Sequence, residues 1–365
     1  MTTPISTDPR GVREKYRSVP TPASSSSAES LTPDLPPAAD HRAAWAPEPA
    51  RTVVSAPSSS AESDRTAVIS GRTEAAKRGW RAKLNQVLGL HLSKSEDEQK
   101  YDKRVAQIQR TLRVPKRVSV LSGKGAAGKT SIALNLGATI ATHQRGAKVA
   151  AISIDPLGNI SDRVRPVNGQ PPRSVMSLAA DDNLRRASDV SSYLQTDKSG
   201  LRVLGASSAD GAGFLTPEAL DRSLDVLSEH YDVTVVDFGL NIDSSVYHRA
   251  LTRSDQLVLA AATTADSINE LHTLIKTLRA FGGKYVELIN GAVVVFTQTR
   301  PGKSHIDVDA ERDRIVNAYG TPVVTIPFDE HIAEGGPMSL ELVEEDTRLP
   351  YVWLAAEVMT KLPVD

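Results

Sequence analysis

The stretch Ser122-Gly123-Lys124-Gly125-Ala126-Ala127-Gly128-Lys129-Thr130-Ser131 constrains this chain more than any other. It fits the phosphate-loop pattern G-x-x-x-x-G-K-S/T, with Gly123, Gly128, Lys129 and Thr130 in the defining places. Phosphates need converging backbone N–H donors, so the chain must turn tightly with no Cβ atoms in the way. A following helix adds its unpaired N–H groups and positive N-terminal end. Lys129 then reaches the β- and γ-phosphates, and the Thr130 hydroxyl ligates Mg²⁺. Such a loop needs a strand before it and a helix after it. Residues 117–121, Arg-Val-Ser-Val-Leu, read as that strand, and Ser131 to about His143 as that helix, with Ile132, Leu134, Leu136 and Ile140 among its apolar positions.

Further strands follow at Lys148–Ile154, Leu201–Leu204, Tyr231–Asp237, Gln256–Ala260, Ala292–Phe296 and Pro322–Ile326. Helices are expected at about 175–180, 183–194, from Thr216-Pro217-Glu218 to His230, and at about 265–281, 310–319 and 349–362. Apolar strands alternating with helices predict an α/β domain over 115–365, a largely parallel sheet with helices on both faces. The strand ending in Asp237 has the Walker-B form: it delivers a carboxylate that can hold Mg²⁺ through water or Thr130. Asp155, in Asp155-Pro156-Leu157-Gly158-Asn159, stands past a strand's C-terminal end, on the rim where open α/β sheets bind ligands.

Upstream the composition changes. Residues 1–70 are rich in Pro, Ser and Ala, and Ser24-Ser25-Ser26-Ser27-Ala28-Glu29-Ser30 is echoed by Ser58-Ser59-Ser60-Ala61-Glu62-Ser63. So few large apolar residues cannot offset the ordering entropy, and the arm is expected to be disordered, either a passive tail or a tether with Trp45 as anchor. Residues 71–114 read as a helical extension. Trp80, Leu84, Val87 and Leu88 form one apolar helix face, among the basic residues Arg72, Lys77, Arg78, Arg81 and Lys83. Such a helix docks on its own domain or lies on an anionic surface, membrane or DNA. A second helix, capped by Ser93 or Ser95, carries Tyr101, Val105, Ile108 and Leu112 and ends by Pro115.

A net charge of −1 argues against a generally cationic nucleic-acid binder. There are no cysteines, so disulfides and thiolate metal sites are excluded. The eight histidines show no metal-ligand spacing. The expectation is a cytoplasmic protein with no signal peptide and no apolar run approaching the roughly 20 residues of a transmembrane helix.

Lys124 narrows the reading. Gly123-Lys124-Gly125-Ala126-Ala127-Gly128-Lys129-Thr130 resembles the deviant Walker A motif of the ParA/MinD ATPases; the stretch from Asp155 resembles their second acidic motif, and Asp237 their Walker-B acid. The resemblance covers roughly 116–327. It implies a P-loop NTPase architecture binding ATP and Mg²⁺, and a face-to-face homodimer in which Lys124 contacts the partner's nucleotide. It also implies slow hydrolysis, with Asp155 orienting the attacking water. The nucleotide would be bound by 123–131, and on its base side by Thr297, Pro327 and Asp329. The sequence departs from the family at Ala126 and Ala127, commonly Gly and Val, at Ser153, commonly an acid, and at Thr297, commonly an Asn. The arm followed by Trp80, Leu88-Gly89-Leu90 and Ser95-Glu96, with Pro301-Gly302-Lys303 and Pro327-Phe328-Asp329-Glu330-His331, resembles the type VII (ESX) secretion-associated members from actinobacteria. That implies a switch acting on secretion machinery. Two alternatives stand beside it: a partition ATPase binding DNA non-specifically through Arg72–Lys83 and Arg163, Arg165, Arg173, Arg185 and Arg186, and a hydrolysis-deficient nucleotide-binding scaffold. Membrane positioning is less favoured, since the C-terminal helix has Lys361 but no basic cluster.

Overall fold

The computed structural model describes residues 95–144, 146–158, 160–206 and 213–363. The arm over 1–70 with Trp45, the basic stretch 72–92 and Asn159 lie outside the described residues.

In chain order, α1 (Glu96–Ile108) precedes β1 (Lys116–Ser122), α2 (Lys129–His143) and β2 (Val149–Ser153). Next come α3 (Val175–Ala180), α4 (Ala187–Ser191), β3 (Gln195–Thr196), β4 (Arg202–Leu204), α5 (Pro217–His230) and β5 (Val233–Asp237). The chain continues through α6 (Ser245–Thr252), β6 (Gln256–Ala262), α7 (Ala265–Ala280), α8 (Lys284–Gly291) and β7 (Val293–Thr297). It closes with α9 (Val308–Tyr319), β8 (Val323–Ile326), α10 (Glu330–Ala333) and α11 (Glu345–Lys361).

The strands form one sheet in the order β3-β4-β2-β5-β1-β6-β7-β8. All pairings are parallel except β3 with β4 at the edge. The expected mostly parallel α/β sheet is therefore observed. Alternate residues of each strand feed opposite faces. Val118, Val120, Val235 and Val258 pack with α2 and α11, whereas Leu121, Val236, Leu257 and Leu259 pack with α5, α6, α7 and α8. Both faces are buried, which is why these strands read as continuous apolar runs.

α1 belongs to the first layer. Ser95 caps it by accepting from the Glu98 N–H at 3.2 Å, and Glu96, Asp97 and Glu98 face its positive end. Its fully buried Ile108 enters the core, and Arg104 meets Glu357 of α11 at 2.5 Å. The helix stops at Ile108, a turn earlier than expected, because the next residues serve tertiary partners. Arg110 donates to the Met359 and Thr360 carbonyls at 2.9 and 3.0 Å, and Gln144 donates to the Arg110 carbonyl at 2.9 Å.

Other differences are equally local. α4 spans Ala187–Ser191 within the expected 183–194, since the Asp189 carboxylate captures the Arg185 and Arg186 N–H groups and starts the helix there. α11 begins at Glu345, ahead of Pro350, which sits inside it. The short elements α6, α8, α10 and β3 were not anticipated. No helix among the described residues is long and apolar enough to cross a membrane.

Candidate nucleotide-binding site

The topology brings five strand ends to one rim. β1 runs into the loop 123–128, β5 ends in Asp237, and β2 leads to Asp155. β7 ends in Thr297, and β8 leads into Pro327–Asp329. β1 lies between β5 and β6, so the loop stands at the middle of the sheet. Each of these residues was singled out by sequence, and the fold gathers them at the carboxyl ends of the strands.

The loop's shape depends on close approaches. A Cβ on Gly123 would lie 2.5 Å from the Glu270 carbonyl oxygen of α7, so only glycine lets the loop pass that helix. Gly128, at φ 79°, turns the chain into α2, whose first N–H groups have no side-chain cap and point at the loop. Ala126 holds φ 59°, the one non-glycine with positive φ among the described residues. Thr297 donates its hydroxyl to the Ala127 carbonyl at 3.0 Å and lies against Gly128. It thus buttresses the loop, with the Ala261 carbonyl a second, longer acceptor for the same hydroxyl at 3.4 Å.

At the start of α2, Thr130 donates to one Asp237 carboxylate oxygen at 2.8 Å. The other oxygen, Oδ1, is buried without a hydrogen-bond partner among the described residues. Burial pushes the Asp237 carboxyl up to about 7, against the opposing pull of the Thr130 hydrogen bond and the Lys129 ammonium. Burial in turn pulls the Lys129 ammonium down, opposed by Asp237 and Asp155. An unpaired carboxylate oxygen beside a hydroxyl and a lysine suits a hard divalent cation with bound phosphate oxygens. Among the described residues no cluster of three or more His, Asp or Glu side chains offers an alternative metal centre.

Asp155 is held on the same rim. Its N–H donates to the Ser153 hydroxyl oxygen at 3.2 Å, and its carboxylate accepts from the Leu157 N–H at 3.0 Å. A Cβ on Gly158 would come within 2.7 Å of the Asp155 Cβ, and one on Gly239 within 3.1 Å of its carboxyl carbon. Two glycines therefore flank this side chain. Ser153 is buried and in register with Asp237, so an acid there would stand beside a carboxylate already hard to ionise.

Lys124 turns outward and pairs with Asp266 in the first turn of α7; both are substantially exposed. Asp329 is buried, and each of its carboxylate oxygens accepts from a backbone donor, Ile332 at 3.1 Å and Glu344 at 2.9 Å. It shapes the loop after β8, alongside Pro327.

Arg163 belongs to the site although the sequence grouped it with a DNA-facing basic set. It lies in a short 3₁₀ turn, Ser161–Arg163. Its guanidinium donates to the Gly336 carbonyl at 2.9 Å and to the Ser131 hydroxyl at 3.3 Å, with Asp237 near enough to act on its charge. Burial pulls its ionisation down. Spacing carried no signal for this, since Ser131, Arg163 and Gly336 are joined only by the fold. Arg173, from the same set, stacks over the Tyr193 ring at 4.7 Å. Arg165, Arg185 and Arg186 remain exposed.

The arrangement is an anion cradle of backbone N–H groups and Lys129, a hydroxyl–carboxylate pair for a cation, and a second carboxylate on the rim. The profile of the CobQ/CobB/MinD/ParA nucleotide binding domain matches residues 118–336, more than half of the chain. The chain belongs to that family. The ESX-1 secretion-associated protein EspI of Mycobacterium tuberculosis is 28% identical over 284 residues, covering 77% of this chain and 42% of EspI. This chain therefore spans less than half of that relative. The sporulation initiation inhibitor protein Soj of Bacillus subtilis is 25% identical over 168 residues, covering 45% of this chain and 65% of Soj. The ParA-family ATPase of Chlorobium tepidum superposes with a TM-score of 0.54 at 18% identity, covering 66% of this chain and 98% of that one. The septum site-determining protein MinD of Pyrococcus horikoshii, solved with Mg-ADP, superposes with a TM-score of 0.50 at 20% identity, covering 66% and 94%. The fold is that of ParA and MinD, and the domain is a nucleotide-binding one.

Proposed function

We propose that this protein is an ATP- and Mg²⁺-dependent dimerising switch of the ParA/MinD type, with slow hydrolysis, working in the cytoplasm on a secretion-associated partner. The observation that carries the reading is the convergence of the loop 123–131, the Thr130–Asp237 pair and Asp155 on one rim, with Lys124 facing outward beside them.

The N–H groups of 123–131 and the Lys129 ammonium would hold the phosphates, and Thr130 with Asp237 would hold Mg²⁺. A divalent cation held by these two residues would supply charge neutralisation for the phosphate oxygens. Asp155, fixed between Gly158 and Gly239, would orient water for in-line attack, a positioning task. Slow turnover is supported by Ser153, a neutral hydroxyl engaged by the Asp155 N–H where the resemblance to the family implies an acid.

Pairing of two copies is supported by exposure near the loop. Leu157 is 92% exposed, and Leu240, beside Gly125, is 51% exposed, an apolar surface that a second copy would cover. Lys124 is retained by Asp266 within its own chain and would exchange that surface pair, worth little in water, for a phosphate across the interface. A γ-phosphate inside the interface makes the dimer last only while ATP is intact. The secretion partner is proposed from the likeness to EspI.

Size-exclusion chromatography with ATP and Mg²⁺, run beside a hydrolysis assay, tests the reading. The wild type should shift to a dimer. Lys129→Ala should lose nucleotide binding, and Lys124→Ala should bind yet stay monomeric. A monomer under every condition sinks the dimer. A second reading, a non-hydrolysing scaffold, is favoured by Ser153; single-turnover hydrolysis lost in Asp155→Ala would exclude it.

A further inference from the structure

A groove of about 1290 Å³ opens away from the phosphate loop, walled by the start of α1, the far end of α2, the segment 331–342 and the start of α11. Its apolar lining includes Val167, Met338, Leu340, Leu342, Leu349 and Val352, of which Val167 and Leu342 are 59% and 65% exposed. Carboxylates dominate its charged lining: Asp97, Glu98, Asp197, Glu334, Glu341, Glu345 and Asp346, against Arg165, Lys198 and Arg348. Lys198 is already taken by Glu341 at 3.0 Å. Glu345 and Asp346 are exposed and make no ion pair among the described residues.

Ser95, where the description of α1 begins, is itself a lining residue. In the sequence, the stretch 72–92 ends just before Ser95. That stretch carries the complementary pattern: an apolar stripe of Trp80, Leu84, Val87 and Leu88 among Arg72, Lys77, Arg78, Arg81 and Lys83. We propose that the groove is the seat of this chain's own basic stretch 72–92, its apolar stripe against Leu342, Leu349 and Val352 and its cations against Glu345 and Asp346. A tethered segment needs little intrinsic affinity, since a short linker holds it at roughly millimolar effective concentration. The groove wall 336–342 is bonded to the nucleotide site, because Arg163 spans from Gly336 to Ser131 and the Met338 N–H donates to the Arg163 carbonyl at 2.6 Å. Any partner that captures the basic stretch therefore releases a wall tied to the phosphate loop.

The chain has no cysteines, so paired substitutions report proximity directly. In the full chain, Leu84→Cys with Leu342→Cys should form a disulfide within one molecule under mild oxidation. It should form at least about tenfold faster than Leu84→Cys with Phe281→Cys, a control exposed at the end of α7 on the other face of the sheet. Adding Glu345→Lys and Asp346→Lys should slow the first pair several-fold. Equal rates for the two pairs would overturn the proposal, as would a disulfide joining two chains, which would assign the groove to a second copy. Amide exchange supplies a check free of cysteines. Segment 336–342 should exchange faster in the Glu345→Lys/Asp346→Lys chain than in wild type, and unchanged protection would count against docking.

Discussion

At Asp237 two demands conflict. The cation site needs a charged carboxylate, yet the residue is 1% exposed, and burial favours its neutral form. Its carboxyl is pushed up to about 7 from an ordinary 3.8, so in the absence of metal the folded state binds a proton that the unfolded state has released. The stabilising balance is fullest below about pH 4 and is lost as pH rises to about 7. Asp237→Asn removes that dependence. Thermal unfolding in chelator should show the variant gaining on wild type between pH 4 and 7, with a constant advantage above, while its Mg-nucleotide binding is lost. Ala126 carries a different tension, a Cβ in the left-handed region at φ 59°. Ala126→Gly should raise stability by about 1 kcal/mol in denaturant titration, since the backbone relief exceeds glycine's entropy cost. A drop in stability would mean that the strain is not real.

Among the elements, α1 shows how an extension becomes part of a core. Ile108 is fully buried beneath α2 and α11, and Arg104 and Arg110 bind the last turns of α11. Ile108→Ala should cost about 2–5 kcal/mol, the range for a large buried aliphatic, read as a shifted denaturation midpoint with unchanged slope. A cost under about 1 kcal/mol would show α1 to be an appendage. Among the helices that the sequence reveals is α5, with its strong start signal Thr216-Pro217. α6 and α8 have eight residues each and no side-chain cap, so packing against the β5–β6–β7 side of the sheet decides them.

Across the whole molecule, Arg163 is the strap between distant parts. It joins the loop after β2, the head of α2 and the segment before α11. Arg163→Gln should weaken nucleotide binding by about tenfold, the worth of one charged hydrogen bond near 1.4 kcal/mol. It should also speed amide exchange at 336–338. Unchanged affinity with faster exchange would leave it a purely structural tie. The chain by itself determined the phosphate loop, its strand and helix, the parallel sheet and the acid at 237, because these are written in adjacent residues or in the apolar runs of strands buried on both faces. Only the tertiary structure decided which groups meet. Thr130 and Asp237 are 107 residues apart, and Thr297 and Ala127 are 170 apart. It also set the outward Lys124–Asp266 pair and the inward turn of Arg163. Those contacts follow from the order in which the strands cross over, with β1 between β5 and β6, and strand order is a property of three-dimensional packing that no local pattern encodes.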